Sequence, residues 1–146
     1  MADTNKTDKG ARTVLVIEDE MDMRFYLMAV VRSLGLDPIL TRNGVQGLEV
    51  LSTLCPDLII LDVMMPEKGG ALVYQELKTN PLYRKIPLIV FSGVDFHSFA
   101  HYVKMVNLGQ KTKIDFPKYY VEKSADPDYL KEVIRKCIPL NRIDDP

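Results

Sequence analysis

Two hydrophobic patterns alternate along this chain. Four short runs are apolar throughout and stop on polar side chains. Residues 14–17 (VLVI) run into Glu18, Asp19 and Glu20, and residues 58–61 (LIIL) stop on Asp62, ahead of a turn with Pro66. Residues 88–91 (LIVF) run into Ser92 and Gly93, and residues 119–121 run through Glu122 into Lys123. Short runs without polar alternation read as strands covered on both faces. Residues 37–40 supply one more short strand, second in chain order. Between the strands, apolar residues recur at helical spacing. Leu27, Val30, Val31 and Leu34 mark a helix over 23–34 that Gly35 stops. Val45, Leu48, Leu51 and Leu54 mark a second, and a third runs from after Gly69 and Gly70 to about Thr79, before Asn80-Pro81. Phe96, Phe99, Ala100, Val103 and Val106 mark a fourth. Leu130, Val133, Ile134, Cys137 and Ile138 mark a fifth, with Asp126 as its N-cap before Pro127.

Five strand–helix alternations predict an α/β fold, a parallel sheet with helices on both faces. The predicted domain spans 12–138. Residues 1–11 read as a flexible tail and residues 139–146 as a C-terminal one. Residues 108–116 (LGQKTKIDF) form a polar connection, long for such a unit. In open sheets of this class, ligands bind outside the carboxyl ends of the strands. The polar stops above would therefore meet on one edge, around Asp62.

Composition narrows the classes. Of 146 residues, 47% are hydrophobic and 27% charged, ordinary for a globular protein. A net charge of -1 argues against binding a nucleic-acid backbone. No run approaches the roughly 18 apolar residues that cross a bilayer, and the N-terminus lacks a secretory core segment. The expected setting is the cytoplasm. Cys55 and Cys137 match no metal or redox spacing and read as reduced core thiols.

Carboxylates crowded at one strand edge repel one another unless they take up protons or bind a cation. Glu18, Asp19 and Asp62 would suit Mg2+, which takes one or two carboxylates and fills its shell with waters and a phosphate. Acids after a strand are also common as caps and solvated turn residues, and Glu20 and Asp22 read that way. Asp62 could itself attack a phosphoryl group to give an aspartyl phosphate. Such chemistry needs a hydroxyl donor and a cation, which Ser92 and Lys123 supply. Singly, each of these residues reads as an ordinary turn or surface residue; their coincidence is what points to a site.

The set VLVIEDE (14–20), LIILDVMMPEKGG (58–70), FSG (91–93) and YVEKS (120–124) resembles the receiver domain of two-component response regulators, including stand-alone chemotaxis regulators. The resemblance implies a doubly wound, flavodoxin-like sheet of order 2-1-3-4-5. It implies that Asp62 is phosphorylated by a histidine kinase or a His-phosphotransfer protein. Asp19 would bind Mg2+ directly and Glu18 through water, with the Met64 backbone carbonyl completing the protein's share. Ser92 would hydrogen-bond the phosphoryl group, Lys123 would pair with it, and Tyr120 would switch rotamer. The phosphorylated form would favour one state of a protein-interaction face made by helix 4, strand 5 and helix 5, which engages a downstream protein. A homodimer through that face, with no role for nucleic acid or membrane, is compatible with the family.

The chain departs from the family pattern in places. Glu18 stands where aspartate is usual, Ser124 where proline follows the lysine, and Gly69 at a commonly acidic position. The gap from Ser92 to Lys123 is long, with the excess assigned to 108–116. Met64 and Val94 are apolar at positions that govern access of the hydrolytic water, which implies a long-lived phosphoryl group.

Three rivals compete. A phosphatase of the haloacid dehalogenase kind would carry an aspartate two residues after its nucleophile, where this chain has Met64. A degenerate receiver would act as a phosphorylation-independent interaction module; the intact Asp19, Asp62, Ser92 and Lys123 speak against it. Dinucleotide binding fails because no G-x-G-x-x-G follows the first strand. An enzyme acting on a separate substrate is not expected. His97 and His101 share a helix face without an evident third ligand and read as solvated or partner-facing. Met28 and Met105 read as packing.

Overall fold

The computed structural model describes residues 10, 12–63, 70–109, 111 and 113–139. Five strands form one parallel sheet: β1 (Thr13–Ile17), β2 (Asp37–Thr41), β3 (Leu58–Leu61), β4 (Leu88–Ser92) and β5 (Tyr119–Glu122). Their order is β2-β1-β3-β4-β5, as expected. The helices are α1 (Met21–Ser33), α2 (Gly44–Thr53), α3 (Gly70–Thr79), α4 (Phe96–Leu108) and α5 (Pro127–Cys137). No described helix is long and apolar enough to cross a membrane.

The sheet is buried on both sides because alternate strand residues face opposite ways. Leu15, Ile17, Ile59 and Leu61 pack with Leu51 of α2, Val73 and Leu77 of α3, and Phe99 and Val103 of α4. Val14, Val16, Ile60 and Phe91 pack with Leu27 and Val31 of α1 and Leu130 and Ile134 of α5. Central strands buried on two faces cannot alternate apolar with polar, hence the continuous apolar runs.

Caps set the helix ends. Asn43, Asp95 and Asp126 accept backbone hydrogen bonds from Gln46, Ser98 and Asp128, starting α2, α4 and α5. Gly35 ends α1 at φ 76°, a conformation that favours glycine. Three expectations fail at the level of faces. Val45 and Leu54 lie exposed, and α2 instead buries Gly47 and Leu51. A Cβ at Gly47 would stand 2.5 Å from Ile17 Cδ1, so this glycine lets the helix settle on β1. On α4, Phe96 and Met105 are exposed rather than buried. Cys55 is exposed too, whereas the half-buried Cys137 thiol is pushed up to about 11 by burial.

The long connection after α4 is anchored. The Asn107 amide donates to the Ile114 carbonyl (2.9 Å) and accepts from its N–H (2.8 Å). Ile114 is buried, and the hydroxyl of Tyr74 on α3 donates to the Asp115 carbonyl at 2.5 Å. The connection is polar in composition, yet it contributes an apolar residue to the core. The tails expected at 1–11 and 139–146, and Gly69, lie almost wholly outside the described residues.

The tight seat of α2 predicts that Gly47→Ala costs about 1–3 kcal/mol, the usual penalty of overpacking. The urea midpoint would fall with an unchanged slope; an unaltered midpoint would show that Ile17 moves aside freely.

Candidate functional site

Four polar side chains are buried among the described residues: Glu18, Thr41, Asp62 and Ser92. Each ends, or directly follows, one of the strands β1 to β4. A buried polar group is the informative exception in a core, and these exceptions share one sheet edge. Parallel register makes this so: Ile17 pairs with Leu61, Leu61 with Val90, and Ser92 with Glu122, so Glu18, Asp62 and Lys123 leave β1, β3 and β5 on the same edge. Backbone bonds lock the ends. The Asp62 N–H donates to Ile17 (3.0 Å), the Glu18 N–H to Thr41 (3.1 Å) and the Lys123 N–H to Ser92 (2.8 Å). The Thr41 hydroxyl is satisfied on the Val16 carbonyl at 2.8 Å.

Lys123 sits at the centre. Its ammonium donates to Glu18 Oε1 at 3.1 Å, Glu20 Oε1 at 3.2 Å and Asp62 Oδ2 at 3.2 Å. Burial pulls the Lys123 pKa down, but the hydrogen bond to Glu18 and the charge of Asp62 outweigh it and hold it above the ordinary value. Glu18 is pushed up to about 7, first by burial, then by the charge of Asp62, with Lys123 opposing both.

By its place in the sequence Glu20 reads as a cap or turn residue. It occupies the N-cap position of α1, but its side chain makes no capping bond and turns to Lys123 instead. Arg24, one turn into α1, was missed. Its Nη1 donates to the carbonyls of Glu18 (2.9 Å) and Asp19 (2.8 Å), fixing the acidic loop. A basic residue one turn after an acid cluster at a strand–helix junction was the available signal.

Carboxylate oxygens of Glu18, Asp19 and Glu20 lie within 4.8 Å of one another. Glu18 Oε2 is buried and accepts no hydrogen bond, although Nζ of Lys123 is 3.1 Å away. An unsatisfied buried carboxylate oxygen beside two exposed carboxylates is a donor set that suits a hard divalent cation. The expected ligands Glu18 and Asp19 are in that cluster, while Asp62 joins it through Lys123. Met64 lies outside the described residues.

Ser92 is fully buried, and its hydroxyl accepts the Val94 N–H at 3.1 Å. Tyr120 is half-buried. Its hydroxyl donates to the Val94 carbonyl (2.5 Å), and its ring centroid lies 5.5 Å from Phe96 and 5.7 Å from Phe99. The tyrosine therefore ties β5 to the loop that follows Ser92. Among the described residues no peptide bond is cis, so Lys123–Ser124 is trans. His97 and His101 are both exposed, and neither joins a three-ligand cluster among the described residues.

The raised Glu18 pKa has a testable sign. Between its ordinary value of 4.5 and about 7, the folded chain holds a proton that the unfolded chain has released. This group therefore favours folding at the acid end of that window, and the contribution is lost as pH rises through about 7. Without divalent metal, the wild-type urea midpoint should fall relative to that of Glu18→Gln from about pH 5 to pH 7.5. Parallel curves would contradict the assignment.

Comparisons with known proteins agree with this geometry. The family model described as the response regulator receiver domain matches residues 14–135. The chain is 28% identical over 127 residues to the Regulator of RpoS of Escherichia coli K12, covering 87% of this chain but 35% of that protein. It is 34% identical over 83 residues to the polar-differentiation response regulator DivK of Brucella anthropi, covering 56% of this chain and 67% of that one. Among solved structures, the signal receiver domain of a histidine kinase from Syntrophus aciditrophicus is 25% identical with a TM-score of 0.72, over 93% of this chain and 97% of its own. A Vibrio cholerae chemotaxis response regulator, 17% identical, shares the fold with a TM-score of 0.71 over 88% of this chain and 99% of its own. With a matching family signature, the expected strand order and the acids, serine and lysine gathered on one sheet edge, the chain belongs to the response regulator receiver domain family.

Proposed function

We propose that this chain accepts a phosphoryl group on Asp62 from a histidine kinase or a His-phosphotransfer protein and uses it to bias a protein-interaction face on α4, β5 and α5. Receiver domains are signalling modules, so the transfer is a switch and not turnover of a metabolite. The observation that carries the reading is the Lys123 ammonium 3.2 Å from a carboxylate buried at the end of β3, beside Glu18.

In the transfer, an Asp62 carboxylate oxygen attacks phosphorus. The new O–P bond forms as the donor's N–P bond breaks, and the leaving imidazole keeps that electron pair and takes up a proton. Such a transfer is limited by positioning and charge stabilisation. Lys123 supplies a positive charge at the acceptor, and the Ser92 hydroxyl, at the end of the adjoining strand, supplies a hydrogen bond. Arg24 holds the backbone under Glu18 and Asp19, which keeps the acidic loop in place. Bound Mg2+ would neutralise charge on the phosphoryl oxygens, held by Glu18, Asp19, Asp62 and the Met64 carbonyl. Tyr120 connects this edge to α4 through the Val94 carbonyl and the Phe96 ring. A phosphoryl group that reorders the loop after Ser92 would shift the population of that contact.

Incubation with acetyl phosphate and Mg2+ should add one phosphoryl group by intact mass. The gain should require Mg2+ and be absent in Asp62→Asn. No gain in a folded wild-type chain, with a kinase donor also failing, would instead favour a module that works by protein contact alone. Val94, apolar and half-buried beside Ser92, predicts slow hydrolysis. The isolated phosphoprotein should last well beyond seconds, and a half-life of seconds would contradict this.

A further inference from the structure

We propose that Glu20 is a positioning residue for Lys123: it holds one donor of the ammonium in the resting chain and gives it up when a phosphoryl group arrives on Asp62. This rests on the phosphoryl-accepting reading above. A lysine ammonium has three donors, and here all three are engaged, on Glu18, Glu20 and Asp62. On phosphorylation the bond to Asp62 passes to a phosphoryl oxygen on that side chain, and a second donor that reaches the new oxygens must leave Glu18 or Glu20.

Burial decides which. The side chains of Glu18 and Asp62 are 0% and 1% exposed, whereas that of Glu20 is 64% exposed. Releasing Glu18 strands a buried carboxylate without water. Releasing Glu20 hands its carboxylate to solvent, and exposed ion pairs contribute little. Glu20 is therefore the exchangeable partner. It keeps the ammonium aimed at the sheet edge before transfer and opposes its full commitment to the phosphoryl group.

The rival role is metal ligation, since a Glu20 oxygen lies within 4.8 Å of those of Glu18 and Asp19. The two roles separate in a magnesium titration. Phosphorylation by acetyl phosphate would be followed by intact mass for wild type, Glu20→Gln and Asp22→Asn. Asp22, in the first turn of α1, loses the same charge without being a partner of Lys123. Loss of an exposed competing pair predicts a saturated rate for Glu20→Gln up to about fivefold above wild type. That gain should exceed the one in Asp22→Asn, and half-saturating Mg2+ should change by less than about twofold. A half-saturating concentration raised about tenfold or more overturns the proposal in favour of ligation. Equal rates in Glu20→Gln and Asp22→Asn overturn it in favour of general electrostatics.

A second readout needs neither metal nor phosphodonor. Labelling of amines with acetic anhydride, mapped by peptide mass, should modify Lys123 several-fold faster in Glu20→Gln than in wild type or Asp22→Asn. Equal labelling overturns the ion pair. Faster labelling in a chain that takes up no phosphoryl group sinks the phosphoryl-accepting reading and leaves Glu20 as the lysine's partner.

Discussion

One ammonium group holds the functional edge of this protein together. Glu18 and Asp62 leave adjacent strands as buried carboxylates, an arrangement that would be prohibitive without a counter-charge. Lys123 arrives from β5, two strands away from β3, and supplies it. The pairing is imperfect. Glu18 still has its pKa lifted to about 7, and one of its oxygens accepts no hydrogen bond. An edge that is neutralised but not satisfied is ready to receive another cation or another set of oxygens. A fully satisfied cluster would be a structural ion pair and little else.

The scaffold explains why such a cluster forms at all. A parallel sheet brings the carboxyl ends of all its strands to one side, and here β1 to β4 each end at a buried polar residue. The rest of each strand is spent on two apolar layers, so the chemistry has no other place to go. Backbone bonds from Asp62, Glu18 and Lys123 to neighbouring strands hold the cluster to the rigidity of the sheet.

Much of this was legible in the sequence because the governing forces are local. Continuous apolar runs announce doubly covered strands, and Asn43, Asp95 and Asp126 cap helices by reaching only two or three residues ahead. What could not be read depends on distance in the chain. Glu20 looks like a cap until Lys123, 103 residues later, is placed beside it. Gly47 looks like a flaw in a helix until Ile17 is seen to fill the space. Met105 sits two residues beyond the buried Val103, about 200° round α4, so the helix's own period carries it into solvent. Residues 108–116 read as a plain polar connection, because burial of Ile114 depends on the hydroxyl of Tyr74 and the amide of Asn107, neither of which is in that stretch.

The way that connection is fastened has a consequence for how the molecule can diversify. Its anchors grip main-chain atoms: Tyr74 takes the Asp115 carbonyl, and Asn107 takes both the N–H and the carbonyl of Ile114. Every residue type but proline offers those same atoms. The outward side chains of the connection can therefore drift under selection for new partners while the fastening, and the chemistry at the far end of Tyr74's helix, stay as they are.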